Sequence, residues 1–339
     1  MNTSTPVMPV AGSRASAAPI SRSRRQVLQW FAAGCGCAAC GSAGARLLDF
    51  DLVAVEVASK TWAVLGRTEY FSQDNGGNIV NTSFIEVPDG VVVIDTGPSK
   101  RYGDALRELI GRTVPGKPIL RVYNTHHHPD HFLGNQSFEA SVIAAPQKVI
   151  ENISLEGDGF TDNMYRLLGD WMRGTYSVAP TVVMNTDNED VGGRQFSLFY
   201  LEGHTNSDFV IRDDETGVVF AGDLAFLYRA PTTPHADIPS WKASLEVLSG
   251  MDKSLLVPGH GPSDAKDESL VQTADYIDWL YGSISDSVGK GLTMNEAMVL
   301  PIPARFEGLG VIRTEYERSV VHLYPALEDV LYPVVEVTR

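Results

Sequence analysis

Residues 125–131 read Thr-His-His-His-Pro-Asp-His and follow the apolar stretch Ile119–Tyr123 after a single residue, Asn124. No other segment constrains the chain as strongly. Four of its eight histidines fall in these seven positions. Ile119–Tyr123 has the length and composition of a buried strand. In an extended exit from that strand, His126 and His128 are two apart and point the same way. Asp130 and His131 then turn into the following helix. Two adjacent pairs of nitrogen and oxygen ligands from one loop suit two borderline cations lying side by side. The plain alternative is a chance or tag-like histidine run. The strand before the cluster and the partners beyond it argue against that.

Those partners are three elements, each at the end of an expected strand. Glu202-Gly203-His204-Thr205 follows Gln195–Leu201, Ala221-Gly222-Asp223 follows Val218–Ala221, and Pro258-Gly259-His260-Gly261 follows Leu255–Val257. A glycine beside each ligand-type residue would let backbone approach a metal closely. One Gly-His or Gly-Asp step means little; three in this order, after His-x-His-x-Asp-His, are specific. All three cysteines, Cys35, Cys37 and Cys40, precede residue 46. The body of the chain therefore has no disulfide and no thiolate site, and a metal there must be held by His, Asp or Glu.

Ser23-Arg24-Arg25-Gln26-Val27-Leu28 is a twin-arginine pair leading into a mildly apolar run that ends at Cys40. Ala43-Gly44-Ala45 then supplies small residues at a signal-peptidase spacing. Residues 1–45 are expected to be a twin-arginine signal and residues 46–339 one folded domain exported to the bacterial periplasm. A disordered basic tail and lipidation at Cys35 are the alternatives. The run is too short and weak for a stable membrane span of ~20 residues. The net charge is −15, and residues 1–45 hold four of the 27 basic side chains and none of the 42 acidic ones. So acidic a body repels nucleic-acid phosphates and anionic lipid, which points to a small-molecule substrate. A local cationic pocket stays open.

Further strands are expected at Leu52–Val57, Trp62–Leu65, Ile79–Val87, Val91–Ile94, Ser141–Ala145 and Phe209–Arg212, with Pro88-Asp89-Gly90 as a hairpin turn. Helices are expected at Tyr102–Ile110, Gln147–Ile153, Ser240–Leu248 and Glu315–Leu331. Thr293-Met294-Asn295-Glu296 reads as a capping box. In residues 157–178, Met164, Leu167, Leu168 and Trp171 fall at helical spacing, which favours a helix over the core against a lid over a pocket. Strands in both halves with helices between them suggest two packed sheets with helices outside.

The motif order resembles the metallo-β-lactamase superfamily. The resemblance implies an α/β fold, an αββα sandwich of two mixed sheets packed face to face with helices outside. It implies two Zn²⁺ per chain: His126, His128 and His204 would hold one, Asp130, His131 and His260 the other, and Asp223 would bridge them. Asp95, in Ile94-Asp95-Thr96-Gly97, matches the carboxylate that orients a ligand imidazole. His127 and Pro129 match variable positions and carry no implied role. Residues 77–82, 162–166, 171–174 and 231–237 resemble the branch called quinoprotein relay system zinc metallohydrolase, which implies a link to a periplasmic quinoprotein system.

The implied chemistry is attack of a metal-bound hydroxide on a carbonyl substrate such as a thioester or lactone, with Asp130 orienting the nucleophile while it ligates. Iron or manganese would also suit the ligand set. Flavo-diiron proteins differ, having Glu where this chain has His128. A β-lactamase is a second reading, although those that use a thiolate have Cys at the position of Asp223 and usually Lys where Phe226 stands. Arg229 or Arg173 could replace that cation. Glyoxalase II proper is disfavoured, since residues 264–339 hold no strong basic cluster. A persulfide dioxygenase with one iron is a third reading, and a binding module whose metals are structural is a fourth. Trp171, Arg173 and Tyr228 are candidates for the pocket rim. His235 could be a pocket residue or a surface histidine, and His322 is expected to be structural.

Overall fold

Every residue of Gly90–Ile94 is buried, and its side chains alternate between two different cores. Val92 and Ile94 join a cluster with Tyr123, Phe209, Phe220 and Val257, whereas Val91 and Val93 pack with Leu106, Leu109 and Ile110. A strand with period-2 side chains can be apolar throughout only when both faces are covered. Each such side chain contributes about 1.5–3 kcal/mol when fully buried. The stretch is thus pinned between a second sheet and a helix.

A computed structural model of the chain describes Met1 and residues 48–332. The expected signal motif and the three cysteines lie outside the described residues. Strands β1 (Val55–Ala58), β2 (Thr61–Val64), β3 (Thr82–Val87), β4 (Gly90–Ile94), β5 (Ile119–Tyr123), β6 (Ile143–Pro146) and β7 (Val182–Met184) form one sheet in that order. It is antiparallel from β1 to β4 and parallel from β4 to β7. The second sheet comprises β8 (Asn188–Val191), β9 (Arg194–Leu201), β10 (Asp208–Asp213), β11 (Val218–Phe226) and β12 (Leu255–His260). It is antiparallel except for the parallel pair β11–β12.

The helices flank these sheets. Helix α1 (Lys100–Thr113) begins where the Ser99 hydroxyl accepts the Tyr102 amide, and buries Tyr102, Leu106, Leu109 and Ile110 at helical spacing. A short helix α2 (Pro129–Phe132) and the long α3 (Gln147–Leu168) follow. On the far face, α4 (Ile238–Gly250), α5 (Glu268–Gly289), α6 (Met294–Met298) and α7 (Ile312–Leu331) come last. Trp241, Leu245, Leu280 and Ile284 of these helices pack on Val210, Val219, Ala221 and Leu256. The inner faces of the two sheets meet through Phe209, Ile211, Phe220 and Val257. The layers are therefore helix, sheet, sheet, helix, as expected.

Several elements differ from the sequence expectation. Ile79 and Val80 are buried but precede β3, because the Asn81 amide bonds to the Gly259 carbonyl of the other sheet instead. β11 and β12 run on past Ala221 and Val257, so Asp223 and His260 lie within strands. The helix from Gln147 extends to Leu168, and Met164, Leu168 and Trp171 pack with Phe132 and Leu133, so this segment covers a core. Thr293 and Glu296 make both reciprocal capping bonds. No helix among the described residues is long and apolar enough to cross a membrane.

Candidate metal centre

After β5 the chain bends at His126 and His127 and is extended at His128, and Pro129, at the first helical position, starts α2. This turn keeps Asp130 and His131 beside His126 and His128. The Thr125 carbonyl accepts the Phe209 amide, which ties the loop to β10 of the opposite sheet. His204 follows β9, and Asp223 and His260 lie on the neighbouring strands β11 and β12. All seven residues are buried.

Their ligand atoms converge in two groups. His126, His128, His204 and Asp223 form one, and Asp130, His131 and His260 the other, with the atoms of each within 4.8 Å of one another. Asp223 joins them. Its Oδ2 lies 3.4 Å from His204 Nε2 and 3.2 Å from His260 Nε2, and its Oδ1 lies 3.1 Å from His131 Nε2. His128 Nδ1 is 2.9 Å from His204 Nε2.

The proton positions follow from the outward-facing nitrogens. The Ile79 carbonyl can only accept, so His260 Nδ1, 2.7 Å away, carries the proton and Nε2 presents a lone pair inward. Asp95 Oδ2 accepts from His131 Nδ1 at 2.7 Å. The Thr125 hydroxyl donates to the same carboxylate and can accept from His126 Nδ1 at 3.1 Å. What remains inside is a set of crowded ligand-type atoms. His126 Nε2 is buried without a hydrogen-bond partner, and His131 Nε2 faces Asp223 Oδ1, 3.1 Å away. Burying such an atom unpaired costs roughly 1–3 kcal/mol. Divalent cations fit here: His126 Nε2 is orphaned, and the donors are the nitrogen and oxygen types that borderline ions take.

Electrostatics agree. Burial, reinforced by neighbouring imidazoles, holds His126 and His128 well below the usual histidine range, and burial pushes His204 down to about 3. These rings are neutral, as ligands must be. His131 is the exception. Burial would lower it, but Asp223, Asp95 and Asp130 outweigh that and hold it well above the ordinary range. Burial likewise opposes charge on Asp223, yet His260 and His131 keep its carboxyl well below normal. The surrounding carboxylates thus call for positive charge where ions would sit.

A glycine beside each ligand has a more varied purpose than close approach to metal. Only at Gly259 would a Cβ overlap a ligand, Asp223 Oδ1. At Gly203 it would strike the Trp241 backbone, and at Gly222 the Thr125 side chain.

A sequence-family model described as the metallo-beta-lactamase superfamily matches residues 75–260. The chain belongs to the metallo-β-lactamase superfamily. Among curated relatives, it is 24% identical over 293 residues to a linear primary-alkylsulfatase from a Pseudomonas species, covering 70% of this chain and 53% of that one. The chain thus spans about half the alkylsulfatase's length. It is also 24% identical over 226 residues to the acyl-coenzyme A thioesterase MBLAC2 of Bos taurus, covering 59% and 80% respectively. A solved metallo-beta-lactamase from Pontibacter korlensis shares the fold with a TM-score of 0.55 at 21% identity, covering 67% of this chain and 99% of that one.

Around this superfamily centre lie residues that the motif did not reveal. His128 Nε2 is 2.8 Å from His235 Nδ1, and His235 Nε2 is 3.5 Å from Glu156 Oε2. With Nδ1 of His128 as the ligand atom, its Nε2 proton goes to His235, whose own proton faces Glu156. His235 is therefore a partly exposed support for a ligand. Asn81 donates to the Pro258 and Gly261 carbonyls at 2.8 and 2.6 Å, clamping the turn that carries His260. Asp208 accepts from the Thr205 amide and hydroxyl next to His204.

A narrow cavity of about 40 Å³ opens on His128, Asp130, Asp223 and His260. Arg229, Thr232 and Arg318 form its polar wall, and Phe71 and Ile79 its apolar one. Of the two arginines suggested by sequence, Arg229 reaches the centre and Arg173 does not; Arg173 is exposed and pairs with Asp170. Trp171 and Tyr228 do not line this cavity either. Trp171 turns inward, its indole donating to the Gln73 carbonyl, while Tyr228 is exposed. His322 is exposed on α7 and does not line this cavity.

Proposed function

We propose that this chain is a dinuclear zinc hydrolase that cleaves a carbonyl-type substrate such as a thioester or lactone. The observation that carries the reading is the placement of Asp223, whose carboxylate lies within 3.4 Å of ligand nitrogens from both groups. His126, His128 and His204 would hold one ion and Asp130, His131 and His260 the other, with Asp223 shared. Two divalent ions in such a site supply a Lewis acid and an activated water near neutral pH.

The chain's own residues do the rest. Asp95 and the Ile79 carbonyl fix the protons of His131 and His260 on the outward nitrogens, so that lone pairs face the centre. Asp130 lines the cavity with a carboxylate oxygen 3.5 Å from His260 Nε2, placed to accept a hydrogen bond from the attacking water and aim it. Phe71 and Ile79 exclude bulk water from one side, which strengthens every charge interaction within. The thioesterase named among the relatives supports carbonyl chemistry. Export to the periplasm and service to a quinoprotein system belong to the same reading, supported by the twin-arginine motif and the branch-like segments.

Turnover of β-lactams is a second reading, favoured by Arg229, which puts a cation in the cavity where a ring carboxylate would need one. A one-iron persulfide dioxygenase is disfavoured by the second ligand group. The test is a hydrolysis panel of thioesters, lactones, β-lactams and phosphodiesters on enzyme of measured metal content. Turnover of an acyl substrate that tracks zinc loading is expected; a zinc-loaded enzyme that cleaves only phosphodiesters contradicts the reading.

A further inference from the structure

Arg229 is almost fully buried beside the metal centre, yet its guanidinium is incompletely paired. Its Nε donates to the Glu69 carbonyl at 3.3 Å, and its Nη2 is 3.4 Å from Glu315 Oε1. Its Nη1 is buried with no partner. Leaving a charged donor unsatisfied costs more than leaving a neutral one, so this group calls for an acceptor. Arg318 stands on the same wall, reaching from α7. Its Nη1 donates to Thr232 Oγ1 at 2.7 Å and lies 3.5 Å from Glu315 Oε2. Its side chain is about a third exposed.

Among the described residues, Glu315 is the carboxylate that pairs with both guanidiniums, and it is fully buried. Two cations therefore share one anion on this wall, while Asp130 and Asp223 of the same cavity belong to the metal centre. This happens in a chain of net charge −15. Arg318 and Glu315 also lie beyond residues 75–260, the part matched by the superfamily model. The closing helix α7 thus brings a feature of its own to the centre. Its buried face is polar at Glu315 and Ser319 because those side chains meet Arg229 and Thr233.

We infer that Arg229 and Arg318 select substrates bearing a compact oxyanion, a carboxylate or sulfate-like group, beside the bond to be cleaved. This rests on the hydrolase reading above and narrows its substrate class. Guanidinium offers paired N–H donors in a plane, which match the oxygens of such a group. The cavity admits a small headgroup, with the apolar side at Phe71 and Ile79 meeting the adjoining carbon chain. Arg229 acts as the fixed donor and Arg318, at the open edge, as the closing one.

Two measurements separate this inference from the hydrolase reading. The first is calorimetric titration of inorganic sulfate into the zinc-loaded wild type, Arg318→Gln and Arg318→Lys. Arg318 is partly exposed, so these variants should fold; circular dichroism and zinc content check that they do. Zinc can hold sulfate by itself, so the readout is the difference between proteins. Sulfate should bind Arg318→Gln about ten-fold more weakly than wild type, with part of the loss restored in Arg318→Lys, in line with a charge-assisted hydrogen bond. Equal affinity in wild type and Arg318→Gln overturns the inference. The second compares matched acyl esters that differ only in a carboxylate or a carboxamide. The wild type should favour the carboxylate, and Arg318→Gln should bring the ratio of kcat/KM towards one through KM. Hydrolysis indifferent to that charge overturns the inference alone. Failure to cleave any ester, with the sulfate difference intact, overturns only the hydrolase reading.

Discussion

His131 donates its Nδ1 proton to Asp95 Oδ2 across 2.7 Å, and Asp95 adopts a left-handed backbone conformation, φ +57°, to receive it. Non-glycine residues take that conformation rarely and at a cost. The same carboxylate accepts the Thr125 amide and hydroxyl, both at 2.8 Å. One aspartate thus orients His131 directly and His126 through Thr125. Asp95→Asn keeps the shape and tolerates the backbone, but one amide cannot accept all three bonds. Metal affinity should fall about 10–100-fold, the usual loss when a carboxylate behind a ligand imidazole is removed. Competition with a chromogenic chelator measures it.

His235 and Glu156 support His128 in the same manner from the opposite side. His235→Ala should weaken the ion held by His126, His128 and His204 by about ten-fold while sparing the other group. Glu156→Gln should produce a smaller loss in the same site. Stepwise metal titration of the two variants distinguishes the sites; equal weakening of both ions would contradict this assignment.

Gly259→Ala is a steric test. Its Cβ would overlap Asp223 Oδ1, so the bridging carboxylate or the β12 backbone must move. Overpacking of this kind costs about 1–3 kcal/mol in stability. The larger effect should be on metal content, with loss of at least one ion per chain, read by elemental analysis. Gly203→Ala should instead cost stability, because its Cβ would meet the Trp241 backbone.

Much of this centre is legible in the sequence. The seven candidate ligand residues could be named from the His-x-His-x-Asp-His run and the three Gly-His or Gly-Asp steps that follow it in order, and Asp95 from the family resemblance. Their helpers are less legible. His235 stands alone in sequence and reads equally as a pocket or a surface histidine; only the fold brings it 2.8 Å from His128, 107 residues away. Arg318 reaches the cavity, and Glu315 reaches Arg229 behind it, from a helix whose polar positions look like an ordinary solvated face. Helix α5 is poorly legible in the sequence, although Leu270, Tyr276, Ile277, Leu280, Ile284 and Val288 recur at helical spacing. Its buried face also holds Ser269, Thr273 and Ser287, which break the apolar stripe. β7 and β8 are short and half-exposed, so they lack the alternation that marks a strand.

His127 contributes, with the other buried imidazoles, to the pH dependence of the metal-free protein. Burial, with His235 nearby, pushes it down to about 3. In the unfolded chain it would titrate near ~6.5. Above that pH the ring is neutral in both states and its contribution to stability is fully present. As pH falls from ~6.5 towards 3, the unfolded chain takes up a proton that the folded one refuses, so stability drops. In His127→Gln the slope of unfolding free energy against pH over this window should be lower by about one proton. Urea midpoints across the range measure it.

The central claim is that five histidines and two aspartates hold two metal ions that the reaction needs. Elemental analysis of purified wild type and Asp223→Ala, paired with turnover of the best acyl substrate, tests it most directly. About two zinc ions per chain are expected in the wild type, with Asp223→Ala losing metal and activity together by orders of magnitude. Full turnover without bound metal, or a single iron per chain with oxygen consumption, would contradict the account.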